Sequence, residues 1–420
     1  MDNPAKRLIL NHMKADTDIL IAGGGLNGAA LALAAAQAGL TVTIVDPTSE
    51  NVMKGADFDG RGYALSLGSQ RLLQALGIWK EIDSDTQPIL EIKVSDGRLA
   101  EGPSPFVLEF DHAEIEDGPM GFMAEDRYLR RALLNGIAET PGITSLFGQS
   151  VTDHQVLPGA IRVTLSSGKT VTAAALIGSD GRKSGVAERA GIKRSGWDYD
   201  QTALVCAIEH QLPHHGIAHQ YFLPPGPLAI LPLPANRSSI VWTETRAEAA
   251  RISTLDDAGY LQELRPRFGD FLGPIRLAGH RFSYDLNLSL ANTFLAERIA
   301  LIGDAAHGLH PIAGQGLNAG LKDVATLAEV LVTAKRRGED IGRADVLERY
   351  QQWRRFDTAT LAIATDGFNK LFSNDNSLVR LARDFGLGLV NSMPGVRRSF
   401  IREAAGLSGD IPKLLRGQQI

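Results

Sequence analysis

Between Ile19 and Val45 the chain carries no charged residue, in the run ILIAGGGLNGAALALAAAQAGLTVTIV. Length alone would let such a stretch span a bilayer. Its glycines at 23 to 25, with Asn27, Gln37, Thr41 and Thr43, make a poor membrane helix and favour a buried strand, a packed helix and a second strand. The first strand is expected at 19–22, and the helix extends to Ala38 with Gly39 ending it. A second strand follows from Thr41 to Val45 and ends in Asp46. Two later apolar runs end in similar turns: AALIGSDGR at 174–182, followed by Ser184 and Arg189, and RIALIGD at 298–304. Short β-rich runs at 202–208, 228–232 and 238–243 predict an antiparallel layer, and after residue 346 the pattern is helical.

A chain of 420 residues has room for two or three domains, and a net charge of −5 argues against a nucleic-acid partner. One cysteine, Cys206, excludes an intrachain disulfide and a cysteine-rich metal site, and fits a reducing cytoplasm. The patch Leu8-Ile9-Leu10 is too short for a signal-peptide core, so the expected location is cytoplasmic. The C-terminal region sets Arg380, Arg383, Arg397, Arg398 and Arg402 beside apolar residues. This reads as a solvated amphipathic helix, with contact to the inner membrane face or a partner as the alternative.

Gly23-x-Gly25-x-x-Gly28 between strand and helix has a physical reading. The first glycine permits a tight turn, the second lets the backbone approach a pyrophosphate on the helix N-terminus, and the third lets helix and strand pack closely. Asp46 then meets a ribose hydroxyl. The bland alternative is a tight turn with no ligand, but strand, turn, helix, second strand and terminal acid occur here in order. One nicotinamide site would not need three such strand ends; an extended FAD would use them all.

The segments Gly23 to Gly28, Arg61 to Ser69, Asp180-Gly181, and Gly303-Asp304 through Gly316 resemble the fingerprints of the FAD-dependent aromatic hydroxylases with the para-hydroxybenzoate hydroxylase-like fold. DGRGYALSLGSQRLLQALGIW (59–79), GPLAILPLPANRSSIVWT (226–243), GLHPIAGQGLNAGLKD (308–323) and the tail from Leu371 to Leu407 are most similar to the ubiquinone-biosynthesis hydroxylases. The resemblance implies an α/β fold. An FAD-binding, Rossmann-like parallel-sheet domain (1–85, 111–187, 286–345) would be interleaved with a mainly antiparallel substrate domain (86–110, 188–285) and followed by a helical region at 346–420.

Site residues follow from the same resemblance. Gly303 and Asp304 sit near the ribityl and pyrophosphate groups, and Arg61, Arg127 and Asp180 face the cofactor. The loop from His310 to Gly316 passes along the flavin ring, where Pro311, Gly314 and Gly316 act through their backbone, joined by Gln315 and Asn318. The helix from Leu317 onward aims its N-terminal dipole at the ring edge that gains negative charge on reduction.

The implied reaction is hydroxylation of a prenylated phenol by FAD and molecular oxygen through a flavin C4a-hydroperoxide, within ubiquinone biosynthesis and alongside its other proteins. The electron donor is NAD(P)H or a ferredoxin/reductase system. Competing readings are a hydroxylase of a soluble aromatic acid and a non-catalytic FAD-binding component of a complex. A prenyl tail requires an apolar channel, for which Tyr221, Phe222, Leu228, Ile230 and Leu231 are candidates, although they read equally as core strand.

Histidines give two further patterns. His307 and His310 form an HxxH without a third ligand, so hydrogen bonding or loop packing is expected rather than metal binding. Four of the ten histidines, His210, His214, His215 and His219, fall in EHQLPHHGIAHQ, which reads as an exposed hairpin turn between two strands.

Overall fold

The computed structural model describes residues 15–55, 60–98, 102–114, 117–308, 315–355 and 393–420. Its first sheet has a parallel centre in the order Ile299–Leu301, Thr170–Gly178, Thr17–Ala22, Val42–Asp46 and Ile143–Phe147. Ala160–Leu165 adds antiparallel to Thr170–Gly178, and Val151–Leu157 adds to it in turn. The central strands have both faces covered, which is why they read as unbroken apolar runs rather than alternating ones. Helix Leu26–Gln37 is buried from Gly28 to Ala35. Its small side chains let it lie between the sheet and the long helix Gln315–Arg336. Gly39 ends the first helix at φ +95°.

A second, mainly antiparallel sheet runs in the order His307–Gly308, Phe282–Ala291, Arg194–His210, Arg237–Thr245, Gly226–Leu233, Ile217–Leu223, Glu91–Arg98 and Gly102–Asp111. Gly62–Ser66, Gly121–Glu125 and Thr86–Ile89 form a small third sheet. Thus Thr86–Ile89 joins the strands around Arg61 rather than the large sheet, and Phe282–Ala291 carries the large sheet across the position 286 read from the sequence.

Strand alternation gives the large sheet two distinct faces. On one, Leu204, Cys206, Ile208, Leu228, Ile230, Ile240 and Trp242 pack under helices Arg246–Ser253 and Asp257–Phe268. Each fully buried Leu or Ile of that core contributes about 1.5–3 kcal/mol. The other face turns toward residues 60–62 and 121–125: Gly60 is tight against Phe282, Gly62 lies near Ser239, and Met123 shares a cluster with Ala207 and Leu233.

The expected hairpin around the clustered histidines is not formed. Arg194–His210 pairs with Arg237–Thr245, Phe282–Ala291 and Ile275–Leu277, whereas Ile217–Leu223 pairs with Gly226–Leu233 and Glu91–Arg98. Proline and glycine fixed a chain reversal there, but long-range burial chose the partners. His210 bonds Leu212 O and Ser238 Oγ, and His214 bonds Leu233 O and Ala235 O. Among the described residues no three metal-ligating side chains cluster.

His219 lies against Phe271 and Tyr221, and burial first, with Lys93 adding, pushes its pKa down from 6.5 to about 4. The folded state therefore takes up this proton less readily than the unfolded chain. Stability contributed here is full above pH 6.5 and is lost as pH falls toward 4. We expect His219→Phe to flatten the acid limb of the melting temperature between those limits; an unchanged limb in pH-scanned thermal melts would discard this assignment.

The helix Pro394–Ala404 is docked rather than fully solvated: Arg397 pairs with Glu114 at 2.8 Å, Arg402 lies 3.7 Å from Asp117, and Ile401 is buried. Arg380 and Arg383 lie outside the described residues. Among those described, no helix is long and apolar enough to cross a membrane.

Candidate active site

The carboxyl ends of the parallel strands meet side by side, with Ala22 opposite both Val45 and Gly178, and Gly178 opposite Leu301. Open α/β sheets bind ligands at this edge. The three fingerprint glycines are there for different reasons. A Cβ on Gly23 (φ +105°) would lie 2.3 Å from Ser179 O, and one on Gly28 would lie 1.9 Å from Gly23 O. A Cβ on Gly25 would meet nothing within 4 Å among the described residues. Gly25 caps a helix with no side-chain cap and no acid in its first turn, leaving free N–H groups and a positive dipole end toward that open space.

Asp46 closes the cradle. Its Oδ2 accepts from Gly24 N at 2.7 Å and its Oδ1 from Thr48 N at 2.8 Å, which leaves each oxygen a further lone pair. Asn27, which the sequence reading passed over, is wedged against Gly303 and Gly320, and its buried Oδ1 has no partner among the described residues. An open helix start, a carboxylate with acceptor capacity and an orphaned amide oxygen suit the pyrophosphate, ribose and ribityl groups of a dinucleotide.

Asp180 accepts from Ser184 Oγ and from Val186 N at 3.0 Å, so it caps the short helix Gly185–Arg189 beneath the glycine turn. Gly303 (φ +57°) opens a tight turn, and the half-exposed Asp304 takes Arg182 Nε at 3.1 Å. Arg194, half-buried and also missed in the sequence, donates to Ser289 and to the carbonyls of Asp304 and Ala305. Gln315 and Gly316 begin the long helix, and a Cβ on Gly316 would meet nothing within 4 Å among the described residues. Asn318 turns inward instead: Oδ1 accepts from Ser66 N at 2.9 Å and Ser69 Oγ at 2.8 Å, and Nδ2 donates to Ala64 O at 2.8 Å. Pro311, Gly314 and His310 lie outside the described residues.

Arg61 and Arg127 lie next to two consecutive buried acids. Asp126 accepts from Tyr63 Oη at 3.1 Å, has Arg61 Nη2 at 3.3 Å and also contacts Arg130. Glu125 accepts from Arg127 Nε at 2.8 Å, and Arg237 of the large sheet lies 2.9 Å from its other oxygen, off hydrogen-bond alignment. The sequence shows EDR at a helix start, where acids normally face water; only the fold reveals that both are enclosed.

The face of the large sheet that turns toward residues 60–62 carries an apolar wall of Ala203, Val205, Leu286, Val241, Phe282 and Tyr199, with Phe282 against Gly60. Of the five channel candidates, Tyr221, Leu228 and Ile230 belong to the opposite face, under the helices. Phe222 and Leu231 share the face of the wall but pack into other clusters.

Comparison with known proteins fits this geometry. The model of the FAD binding domain family matches residues 16–363. The chain is 45% identical over 403 residues to a ubiquinone hydroxylase (UbiL) of Rhodospirillum rubrum, covering 95% of this chain and 92% of that one. It is 32% identical to the 3-demethoxyubiquinol 3-hydroxylase of Escherichia coli, with 93% and 99% covered. The p-nitrophenol 4-monooxygenase PnpA of Pseudomonas putida has the same fold, with a TM-score of 0.77 at 18% identity over 94% of this chain and 98% of the other. A glycine turn open at Gly25, a carboxylate at Asp46, strand-end turns at 180 and 304, and matches over nearly its full length establish that the chain belongs to the FAD binding domain family, with ubiquinone hydroxylases among its relatives.

Proposed function

We propose that this protein is an FAD-dependent monooxygenase that hydroxylates the aromatic ring of a prenylated phenol in ubiquinone biosynthesis. The observation that carries the reading is the apolar wall beside Arg61. Ala203, Val205 and Leu286 are buried there and Val241, Phe282 and Tyr199 half-buried, an apolar cluster with no charged member. The cations at its edge, Arg61 and Arg237, are each set against a buried acid. A soluble aromatic acid would need an uncommitted cation for its carboxylate; a prenylated phenol needs apolar surface.

Bound and reduced FAD supplies the activation of molecular oxygen. The chain's residues do the rest. Gly25 and the helix N-terminus would hold the pyrophosphate, Asp46 the ribose, and Asn27 with Asp304 the ribityl hydroxyls. Pro311, Gly314, Gln315 and Gly316 would approach the ring through their backbone, while Asn318 secures the start of that helix to the strand Gly62–Ser66. Gly303, Asp180, Arg127 and Arg61 would set the surrounding turns. The wall would orient the phenol and exclude water. The reducing equivalents come from NAD(P)H or a ferredoxin/reductase system, and the substrate's tail brings the protein to a membrane surface or to other proteins of the pathway.

Deletion of the gene is expected to cause accumulation of a prenylated phenol lacking one ring hydroxyl, measured by mass spectrometry of lipid extracts. Normal ubiquinone in a deletion strain with no substitute hydroxylase would overturn the reading.

A further inference from the structure

Asp323 lies on the third turn of the helix Gln315–Arg336 and is 0% exposed. Its Oδ2 accepts from Gly303 N at 2.9 Å and from His307 Nε2 at 2.6 Å, and its Oδ1 from Arg354 Nε at 2.7 Å. These donors come from the first and last residues of the 303–307 turn and from the helix spanning 344–355. A carboxylate only accepts, so His307 carries its proton on Nε2; its Nδ1 is buried with no partner among the described residues. Burial alone would raise the carboxyl's pKa, but His307 and Arg354 together hold it below the ordinary range. Asp304, between the two anchored residues, directs its half-exposed carboxylate outward to Arg182. Arg194 grips the carbonyls of Asp304 and Ala305 from the large sheet.

We infer that Asp323, with His307 and Arg354, is a positioning set that fixes the turn carrying Asp304 and so determines how tightly the flavin half of FAD, as distinct from its adenosine half, is held. The inference rests on the FAD reading above. One acid grips both ends of a short turn and ties it to the helix expected beneath the ring. The turn is therefore ordered before the cofactor arrives, and preorganisation lowers the entropic cost of binding. The adenosine half instead depends on Gly25 and Asp46, which Asp323 does not touch.

That division supplies the test. The full chain, stripped of FAD, is titrated with FAD by flavin fluorescence and visible circular dichroism, and separately with ADP. Asp323→Asn removes the countercharge of buried Arg354 and risks misfolding, so His307→Leu, which keeps the Asp323–Arg354 pair, is the deciding variant. We expect His307→Leu to weaken FAD binding about tenfold or more, with an altered flavin dichroism, while ADP affinity stays within about twofold. His307→Gln, which retains an N–H donor of similar reach, should recover most of the loss. Wild-type FAD affinity in His307→Leu, or equal losses for FAD and ADP, overturns the inference. Asp304→Ala separates it from its premise: FAD loss there with wild-type binding in His307→Leu defeats only the positioning role, whereas wild-type binding in both defeats the assignment of Asp304 to the FAD site.

Discussion

Gly25→Val gives a folded, colourless protein. At φ −64° and ψ −177° the backbone is one any residue adopts, and an added Cβ meets nothing within 4 Å among the described residues, so the change in stability without cofactor is small, about 1 kcal/mol or less. The branched side chain fills the space the pyrophosphate requires, and FAD affinity falls by about a hundredfold or more, equivalent to roughly 2.7 kcal/mol. Gly28→Ala gives the opposite outcome. Its methyl would lie 1.9 Å from Gly23 O, a backbone atom, so it forces helix from strand and costs about 1–3 kcal/mol or more of stability. Flavin content after purification, with thermal melts of both apoproteins, distinguishes the two. A yellow Gly25→Val protein with wild-type flavin content would refute the cradle.

Val241→Asp is expected to abolish hydroxylation with FAD still bound. Val241 is half-buried in the wall proposed to meet the substrate, and a carboxylate there sets charge against apolar surface. A loss of about a hundredfold or more in product formation is expected, against unchanged flavin content. Its neighbour Trp242 points the other way, fully buried against Tyr260 and Arg267. Trp242→Ala should cost about 3–5 kcal/mol of stability. Two adjacent residues thus separate activity from folding through strand alternation alone. If Val241→Asp restores ubiquinone synthesis in a deletion strain as well as wild type does, the wall does not meet the substrate.

The first strand, helix, second strand and Asp46 were legible because buried parallel strands and an alanine helix leave a run without charges, and because each fingerprint glycine answers a local need. Long-range pairing was not legible. The turn after His210 shows that the chain reverses, but not that two other strands lie between the ones it joins. The enclosed acids were also hidden, because Glu125, Asp126 and Asp323 have the composition of surface helix positions. For Asp323 a signal existed: with Ala319, Thr326 and Val330 it falls on the i, i+4, i+7, i+11 stripe that the helix buries. An acid in an apolar stripe asks for a partner, and both His307 and Arg354 answer.

The strand order of the first sheet also bears on how the protein is made. Thr17–Ala22 rests between Val42–Asp46 and Thr170–Gly178, and the latter waits in turn for Ile299–Leu301. At synthesis rates of about 5–20 residues per second, roughly 8–30 s pass before the inner strand's second neighbour leaves the ribosome, and a similar interval precedes the next. An apolar edge is open throughout that time, the condition under which incomplete chains are prone to aggregate. The turn at 303–307 emerges later still, and Arg354, which holds it through Asp323, only when about five-sixths of the chain has been translated.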